Sequence, residues 1–318
     1  MTEKRPMVIL TGPTAVGKTA LSIELAKKIN GSIISADSMQ VYRHMDIGSA
    51  KVMPEEMDGV RHYLIDEFEP DEEFHVVKFV ERAKEHLEEI YAEEKIPIIA
   101  GGTGFYIQAL LYDIDFTEQE CDEAYRAELE QLAAEKGAHY LHNMLREVDP
   151  ASADAIHANN IKRVIRALEF YHLSGKRISE HNEKEREKTS PYHFAYFVLT
   201  DERSHLYANI DKRVDLMIEQ GLVDEVQKLK NMGFHRDMVS MQGLGYKEIL
   251  DYLDGSCTLD EAVYILKRDT RHFAKRQLTW FRRERDVRWL DLDRYQGNTD
   301  LILKDILKDC EEKRIVLK

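Results

Sequence analysis

Gly12-Pro13-Thr14-Ala15-Val16-Gly17-Lys18-Thr19 follows the apolar run Met7-Val8-Ile9-Leu10 and precedes a helical pattern through Leu21, Leu25 and Lys28. The eight residues form a complete G-x-x-x-x-G-K-[ST] phosphate loop between a strand and a helix. In that setting the backbone N–H groups and the helix N-terminus together surround anionic oxygens. Lys18 is placed to reach the terminal phosphate, and the Thr19 hydroxyl to hold Mg²⁺. The competing reading is a glycine-bearing turn that binds nothing.

Further strand-like runs at Ser32–Ala36, Ile96–Ala100, Phe194–Leu199 and Val287–Leu290 join Val8–Leu10 and alternate with amphipathic helical segments. This predicts an α/β protein, a parallel sheet flanked by helices, with ligands outside the carboxyl ends of the strands. Across residues 117–188 the strand signal stops. Helical periods at Glu123–Lys136, Ala138–Glu147 and Asn160–Leu173, the last closed by Gly175, predict an all-helical insertion between the core segments 1–116 and 189–318. The polar stretch Glu180–Lys188 reads as the return linker or hinge.

The chain has 318 residues, 43% hydrophobic, enough for a large core. No apolar run approaches the roughly 18 residues of a membrane span, and none resembles a signal peptide, so a cytoplasmic protein with no membrane partner is expected. Cys121, Cys257 and Cys310 are too far apart for a disulfide framework or a zinc site. His139 and His142 lack convergent further ligands and read as solvated helix residues.

Net charge is −14, which argues against a polyanionic partner, but the distribution does not. Between Lys267 and Arg288 nine basic residues face three acidic ones, and Phe273, Trp280 and Phe281 interleave with Arg268, Arg271, Lys275, Arg276 and Arg282. Such a stripe suits an RNA face, although aromatics at this spacing also pack cores. Lys162, Arg163 and Arg166 group on one face of a helix whose other face carries Ile161, Val164, Ile165 and Leu168.

The second strand ends Ser35-Ala36-Asp37-Ser38-Met39-Gln40, placing Asp37 at the same sheet edge as the phosphate loop. There it can act as a base, help organise Mg²⁺, or cap the next turn. The third strand-like run ends Ala100-Gly101-Gly102-Thr103-Gly104, where many nucleotide hydrolases carry a metal-binding acid. Its glycines allow close backbone approach to a ligand, and Thr103 supplies a hydroxyl.

With these segments, and with Arg163-Val164-Ile165-Arg166-Ala167-Leu168-Glu169, Met241-Gln242-Gly243-Leu244-Gly245-Tyr246-Lys247-Glu248 and Lys275-Arg276-Gln277-Leu278-Thr279-Trp280-Phe281-Arg282, the chain resembles the tRNA dimethylallyltransferases, of bacterial type, over nearly its whole length. The resemblance implies a phosphate-loop NTPase-like fold and a monomer. It also implies Mg²⁺ as cofactor and transfer of a dimethylallyl group from dimethylallyl diphosphate to N6 of adenosine 37, 3′ of the anticodon, in tRNAs reading codons that begin with U. By the same resemblance Asp37 is the base, Thr103 positions the reacting groups, and the loop residues Gly12 to Thr19 hold the diphosphate with Arg213. Asp37, Ser38, Met39, Gln40, Thr103, Lys162, Arg163, Val164, Ile165, Arg166, Lys275, Arg276 and Arg282 meet the tRNA anticodon stem-loop. Thr19, with Asp37 as a second candidate, binds the metal. Asn209 stands where the family often has arginine. A nucleotide or small-molecule kinase, or an isopentenyltransferase acting on free adenine nucleotides, would use the same loop but has less need of the basic helical faces.

Overall fold

In the computed structural model of the chain, residues 4–116 and 122–316 are described. Cys121 and the expected start of the insertion at 117 lie outside them. Contacts divide the chain into a first unit, residues 1–110 with 191–318, and a second, residues 111–190.

The first unit is built on a six-stranded, wholly parallel sheet. Its strands are β1 (Pro6–Thr11), β2 (Gly31–Ala36), β3 (His62–Tyr63), β4 (Ile96–Gly101), β5 (His193–Thr200) and β6 (Val287–Asp291), in the order β3-β2-β4-β1-β5-β6. The five strands expected from sequence are all present. The sixth, β3, has only two residues and is too short to leave a period-2 signal. Strands buried on both faces read as continuous apolar runs, and Met7, Val8, Ile9 and Leu10 are all fully buried.

Val8, Leu10, Ile33, Ile98, Ala195 and Phe197 share a core with Leu21, Leu25 and Ile29 of α1 (Lys18–Ile29). Ile302 and Ile306 of the C-terminal helix Thr299–Glu312 belong to the same core. By the two-residue alternation of a strand, Ile9, Ile34 and Ile99 face the other side of the sheet, where α2 (Val76–Ala92) packs on β2 and β4. Gly17 caps α1 with φ 90°, a left-handed conformation that costs a residue without Cβ little. The turn after β4 leads into α3 (Gly104–Leu111).

The second unit holds five helices among the described residues: α4 (Glu123–Lys136), α5 (Ala138–Val148), α6 (Pro150–Ala155), α7 (Ile161–Ser174) and α8 (Ile178–Glu187). Leu129, Leu141, Leu145, Val164, Ile165 and Leu168 form its core. Gly175, with φ 68°, closes α7 as the sequence predicts. Glu180–Lys188 is not a linker: nearly all of it lies in α8. The Asp149 carboxylate caps α6 through the Ser152 N–H (3.0 Å) and also accepts from the Ser179 N–H (3.0 Å), which anchors the first turn of α8. Its polar composition reflects an exposed face rather than a missing helix.

Val164 and Ile165 are 0% and 3% exposed, so they cannot present side chains to a partner. The exposed side of α7 carries Lys162, Arg163 and Arg166. Lys162 and Arg163 have no ion-pair partner among the described residues, whereas Arg126 is paired with the buried Glu169.

Gly101 pairs with Ala36 across β2 and β4, and a Cβ on it would overlap the Ala36 carbonyl. Gly101→Ala is therefore expected to destabilise the protein by at least the ~1–3 kcal/mol of an overpacked core. Thermal unfolding would show it as a fall in Tm of several degrees, and an unchanged Tm would contradict this account of β4.

Candidate active site

The carboxyl ends of β1, β2 and β4 open onto one cleft within the first unit. It encloses about 680 Å³ counting its open mouth. Thr14, Lys18 and Thr19 come to it from the phosphate loop and the start of α1, Asp37 and Gln40 from the turn after β2, and Gly101 and Gly102 from the end of β4. Two further helices contribute: α9 (Arg203–Glu219) brings Arg213, and, after α10 (Leu222–Asn231) and α11 (Tyr246–Leu253), α12 (Leu259–Phe281) brings Phe273 and Gln277. The Thr11 hydroxyl donates to the Gly101 carbonyl at 2.6 Å and pins the loops that follow β1 and β4.

The cleft gathers positive charge under partial desolvation. The Lys18 Nζ donates to the Pro13 carbonyl (2.7 Å), and Arg213 donates to the Thr14 hydroxyl (3.3 Å). Burial, and next the Arg213 charge, pull the Lys18 pKa down to about 7, while Asp37 opposes the shift. Burial also lowers the Arg213 pKa, against the attraction of Asp37 and Glu56. Two cations in one cleft with a single facing carboxylate create a site that an anion stabilises.

Asp37 Oδ1 accepts from the backbone N–H groups of Met39 (2.8 Å) and Gln40 (3.4 Å). The capping arrangement is therefore present, and it orients the carboxylate without consuming it, because Oδ2 has no partner among the described residues. Gln40 in turn donates to the Ala50 carbonyl (3.0 Å), fixing the opposite wall. No group of three or more His, Cys, Asp or Glu residues that could hold a metal ion occurs among the described residues. The Thr19 hydroxyl and Asp37 both line the cleft. One hydroxyl and one carboxylate suit Mg²⁺ when diphosphate oxygens and water complete its octahedron.

The other sequence candidates are placed differently. Thr103 does not line the cleft: its N–H donates to the Ala36 carbonyl (3.1 Å) and its own carbonyl starts α3. Ser38 and Met39 lie beyond the cleft, and the Met39 side chain packs on Gly243. Of the glycines after β4, Gly102 lines the cleft and also makes room for the Gln277 amide, and Gly104 makes room for the Trp280 ring. Phe281 is fully buried core, and Trp280, half-buried, sits edge-on to Phe105 at 5.9 Å.

The basic stripe is narrower than its sequence suggests. Lys267 pairs with Asp215, Arg268 with Asp269, Arg271 with Asp211, and Arg288 with Asp305 and Asp309. Lys275, Arg282 and Arg283 remain exposed without ion-pair partners among the described residues, and Arg276 lies over the Phe273 ring. Asn209 is exposed one turn before Arg213 and stays out of the cleft. His139 is exposed as expected, whereas His142 is half-buried and bonds to the Ala153 and Ile156 carbonyls (both 2.9 Å) rather than standing in solvent; burial pushes the Cys310 thiol up to about 12.

Three parts of the cleft escaped the sequence reading. Gln277 was seen only within a motif, Phe273 only within the basic stripe, and the wall formed by Ser49, Ala50, Val52, His62 and Ile65 carries no motif at all. The Nδ1–H of His62 donates to the Val60 carbonyl (2.9 Å), and burial lowers its pKa.

Comparison with known proteins places this geometry. Residues 40–284 match the family model described as IPP transferase. A tRNA dimethylallyltransferase of Lachnoclostridium phytofermentans is 64% identical over 312 residues, covering 98% of this chain and 99% of the relative. Among solved structures, a tRNA isopentenylpyrophosphate transferase from Bacillus halodurans is 46% identical with a TM-score of 0.73, covering 98% of both chains. A eukaryotic dimethylallyltransferase acting on tRNA is 28% identical with a TM-score of 0.83, covering 99% of this chain and 81% of its own.

A lysine with a lowered pKa makes the folded state bind fewer protons than the unfolded chain between about pH 7 and the ordinary lysine value. Its contribution therefore raises stability with pH across that window, and below pH 7 the cost of the buried ammonium is present in full. Lys18→Met is expected to raise the Tm of the ligand-free protein at pH 7 by about 2–4 °C, while abolishing the stabilisation that inorganic diphosphate gives the wild type. Thermal scans with and without diphosphate check both; a lowered ligand-free Tm would refute the electrostatic account.

Proposed function

Because the chain belongs to the IPP transferase family, as a tRNA dimethylallyltransferase, we propose that it moves the dimethylallyl group of dimethylallyl diphosphate to N6 of adenosine 37 in tRNAs reading codons that start with U. The observation that carries this reading is the joining of two half-desolvated cations, Lys18 and Arg213, and one unshared carboxylate oxygen of Asp37 in a single cleft.

Adenine N6 is a weak nucleophile because its lone pair is delocalised into the ring. In the proposed reaction the N6–C1 bond forms as the allylic C1–O bond breaks; the bonding pair leaves with diphosphate, and the N6 proton passes to Asp37 Oδ2. The loop amides, Lys18 and Arg213 meet the negative charge that grows on the leaving oxygen, where preorganised donors act most strongly. Mg²⁺, when held by Thr19 with Asp37 as a candidate second ligand, supplies further charge neutralisation of the diphosphate. The target base must leave its stack to reach the cleft, at a cost of a few kcal/mol. Exposed Lys162 and Arg163 on α7, and Lys275, Arg276 and Arg282 at the end of α12, suit phosphates of the anticodon stem-loop. Arg166 on α7 is a further candidate for the same contact. Thr103 is then a neighbour of the cleft that meets the extruded nucleotide, not a wall of the donor pocket. We read the working unit as a monomer acting in the cytoplasm; no helix among the described residues is long and apolar enough to cross a membrane. No acid follows β4, which leaves the kinase reading with less support.

Purified protein incubated with labelled dimethylallyl diphosphate, Mg²⁺ and unmodified tRNA should label the tRNA, and changing adenosine 37 to guanosine should remove the label. Label in AMP alone would defeat the proposal. Asp37→Asn should lower kcat by about 10²- to 10⁴-fold with inorganic diphosphate binding little changed. Lys162→Glu combined with Arg163→Glu should raise the KM for tRNA about tenfold at low salt and flatten its salt dependence, leaving the KM for the donor unchanged.

A further inference from the structure

Gln277 sits in the last two turns of α12, 6% exposed, with its amide at the wall of the cleft. A buried primary amide is costly unless both ends are bonded. Here Oε1 accepts from the Thr14 N–H at 2.9 Å and Nε2 donates to the Gly102 carbonyl at 2.9 Å. A backbone N–H can only donate and a carbonyl can only accept, so the orientation of the amide is dictated by its partners. The site demands an acceptor and a donor on one terminal carbon at the reach of a glutamine; asparagine is one methylene shorter.

The two partners belong to different loops. Thr14 lies in the phosphate loop after β1, and Gly102 in the turn after β4, a turn so tightly filled by the Gln277 amide that a Cβ at Gly102 would overlap it. The bonding continues beyond Thr14, whose hydroxyl accepts from Arg213. Gly102, Gln277, Thr14 and Arg213 thus form one connected series, with only backbone or polar side-chain atoms in it. Two consequences follow for an anion in the cleft. The Thr14 N–H is already engaged, so the amides that surround a diphosphate begin after it, and the direction of the Arg213 guanidinium depends on where Thr14 is held.

We propose that Gln277 is a positioning residue of the donor site: it sets the Thr14 turn, and through it Arg213, against the diphosphate of the prenyl donor. The inference rests on the reading of this cleft as the diphosphate site. Gln277 itself touches neither the reacting carbon nor the leaving oxygen, and its effect falls on binding of the donor rather than of tRNA.

Two variants separate this role from simple core filling. Gln277→Met keeps the volume and removes both hydrogen bonds. Gln277→Glu keeps the acceptor for Thr14, but in its ionised form it turns a lone pair toward the Gly102 carbonyl; once protonated, its hydroxyl can donate there and restore both bonds. Binding of inorganic diphosphate is measured by titration calorimetry from pH 5.5 to 8, and each variant is expressed as a ratio to wild type, so that titration of Lys18 and of diphosphate itself cancels. For Gln277→Met the dissociation constant should rise about tenfold at every pH, the KM for dimethylallyl diphosphate should rise in parallel, and the KM for tRNA should stay constant. For Gln277→Glu the loss should be largest at pH 8 and shrink toward wild type as the pH falls, a profile that a packing role would not produce. If Gln277→Met fails to fold, the pH profile of Gln277→Glu carries the test alone. Unchanged diphosphate binding in a folded Gln277→Met, an equal rise in both KM values, or a Gln277→Glu ratio that is flat with pH would overturn the proposal. A wild type that binds no diphosphate would overturn the donor-site reading itself.

Discussion

Lys18 and Arg213 share a cleft that withdraws both partly from water, and the surrounding structure can be understood as what that juxtaposition requires. Like charges held together in partial desolvation raise the energy of the ligand-free protein, and Lys18 responds by losing affinity for its proton, down to about 7. Each cation is restrained by an oxygen of the phosphate loop, the Pro13 carbonyl for Lys18 and the Thr14 hydroxyl for Arg213. Asp37 supplies the facing negative charge, held by the N–H groups of its own turn rather than by either cation. A cleft arranged this way recognises an anion by relieving a cost already present, which is how preorganised charge favours a transition state that releases diphosphate.

The wall facing that charge comes from a segment with almost no regular structure, and ionic contacts do the work that a ladder of backbone bonds does elsewhere. Lys51 is buried, and its three ammonium hydrogens match three acceptors: the Tyr42 carbonyl (2.7 Å), Asp46 (2.6 Å) and Asp66 (2.5 Å). A few residues away, the Glu225 carboxylate accepts from the N–H groups of Asp46, Ile47 and Gly48 and from the Tyr246 hydroxyl (2.9 Å). The Tyr246 ring lies so close to Gly48 that no side chain fits there. An irregular loop clamped from both sides gives the cleft a fixed boundary at Ser49, Ala50 and Val52, and it explains why segments as distant as residues 48 and 246 serve one site.

The second unit follows a simpler rule. Its longer helices α4, α5 and α7 bury an apolar stripe each and leave charge outside, so the same α7 that contributes Val164, Ile165 and Leu168 to the core offers Lys162 and Arg163 to solvent. Ionic pairing then separates two kinds of basic residue that look alike in sequence. Much of the stripe from Lys267 to Arg288 is neutralised by aspartates on α9 and the C-terminal helix, and unpaired charge is concentrated toward the end of α12.

Local sequence by itself determined the strand-to-helix phosphate loop, the parallel sheet and its five longer strands, the helical character of the insertion, and Asp37 at the sheet edge. Each of these rests on periodicity or on conformational needs confined to a few neighbouring residues, such as the left-handed Gly17 or the cap at Gly175. Only the tertiary structure decided that Gln277 reaches across to the loop and that the glycines after β4 accommodate α12. It alone drew the wall from residues 49–65, made Glu180–Lys188 helical, and neutralised half of the basic stripe. Those outcomes depend on pairs far apart in the chain, and neither composition nor spacing encodes which buried amide, carboxylate or cation will find which partner.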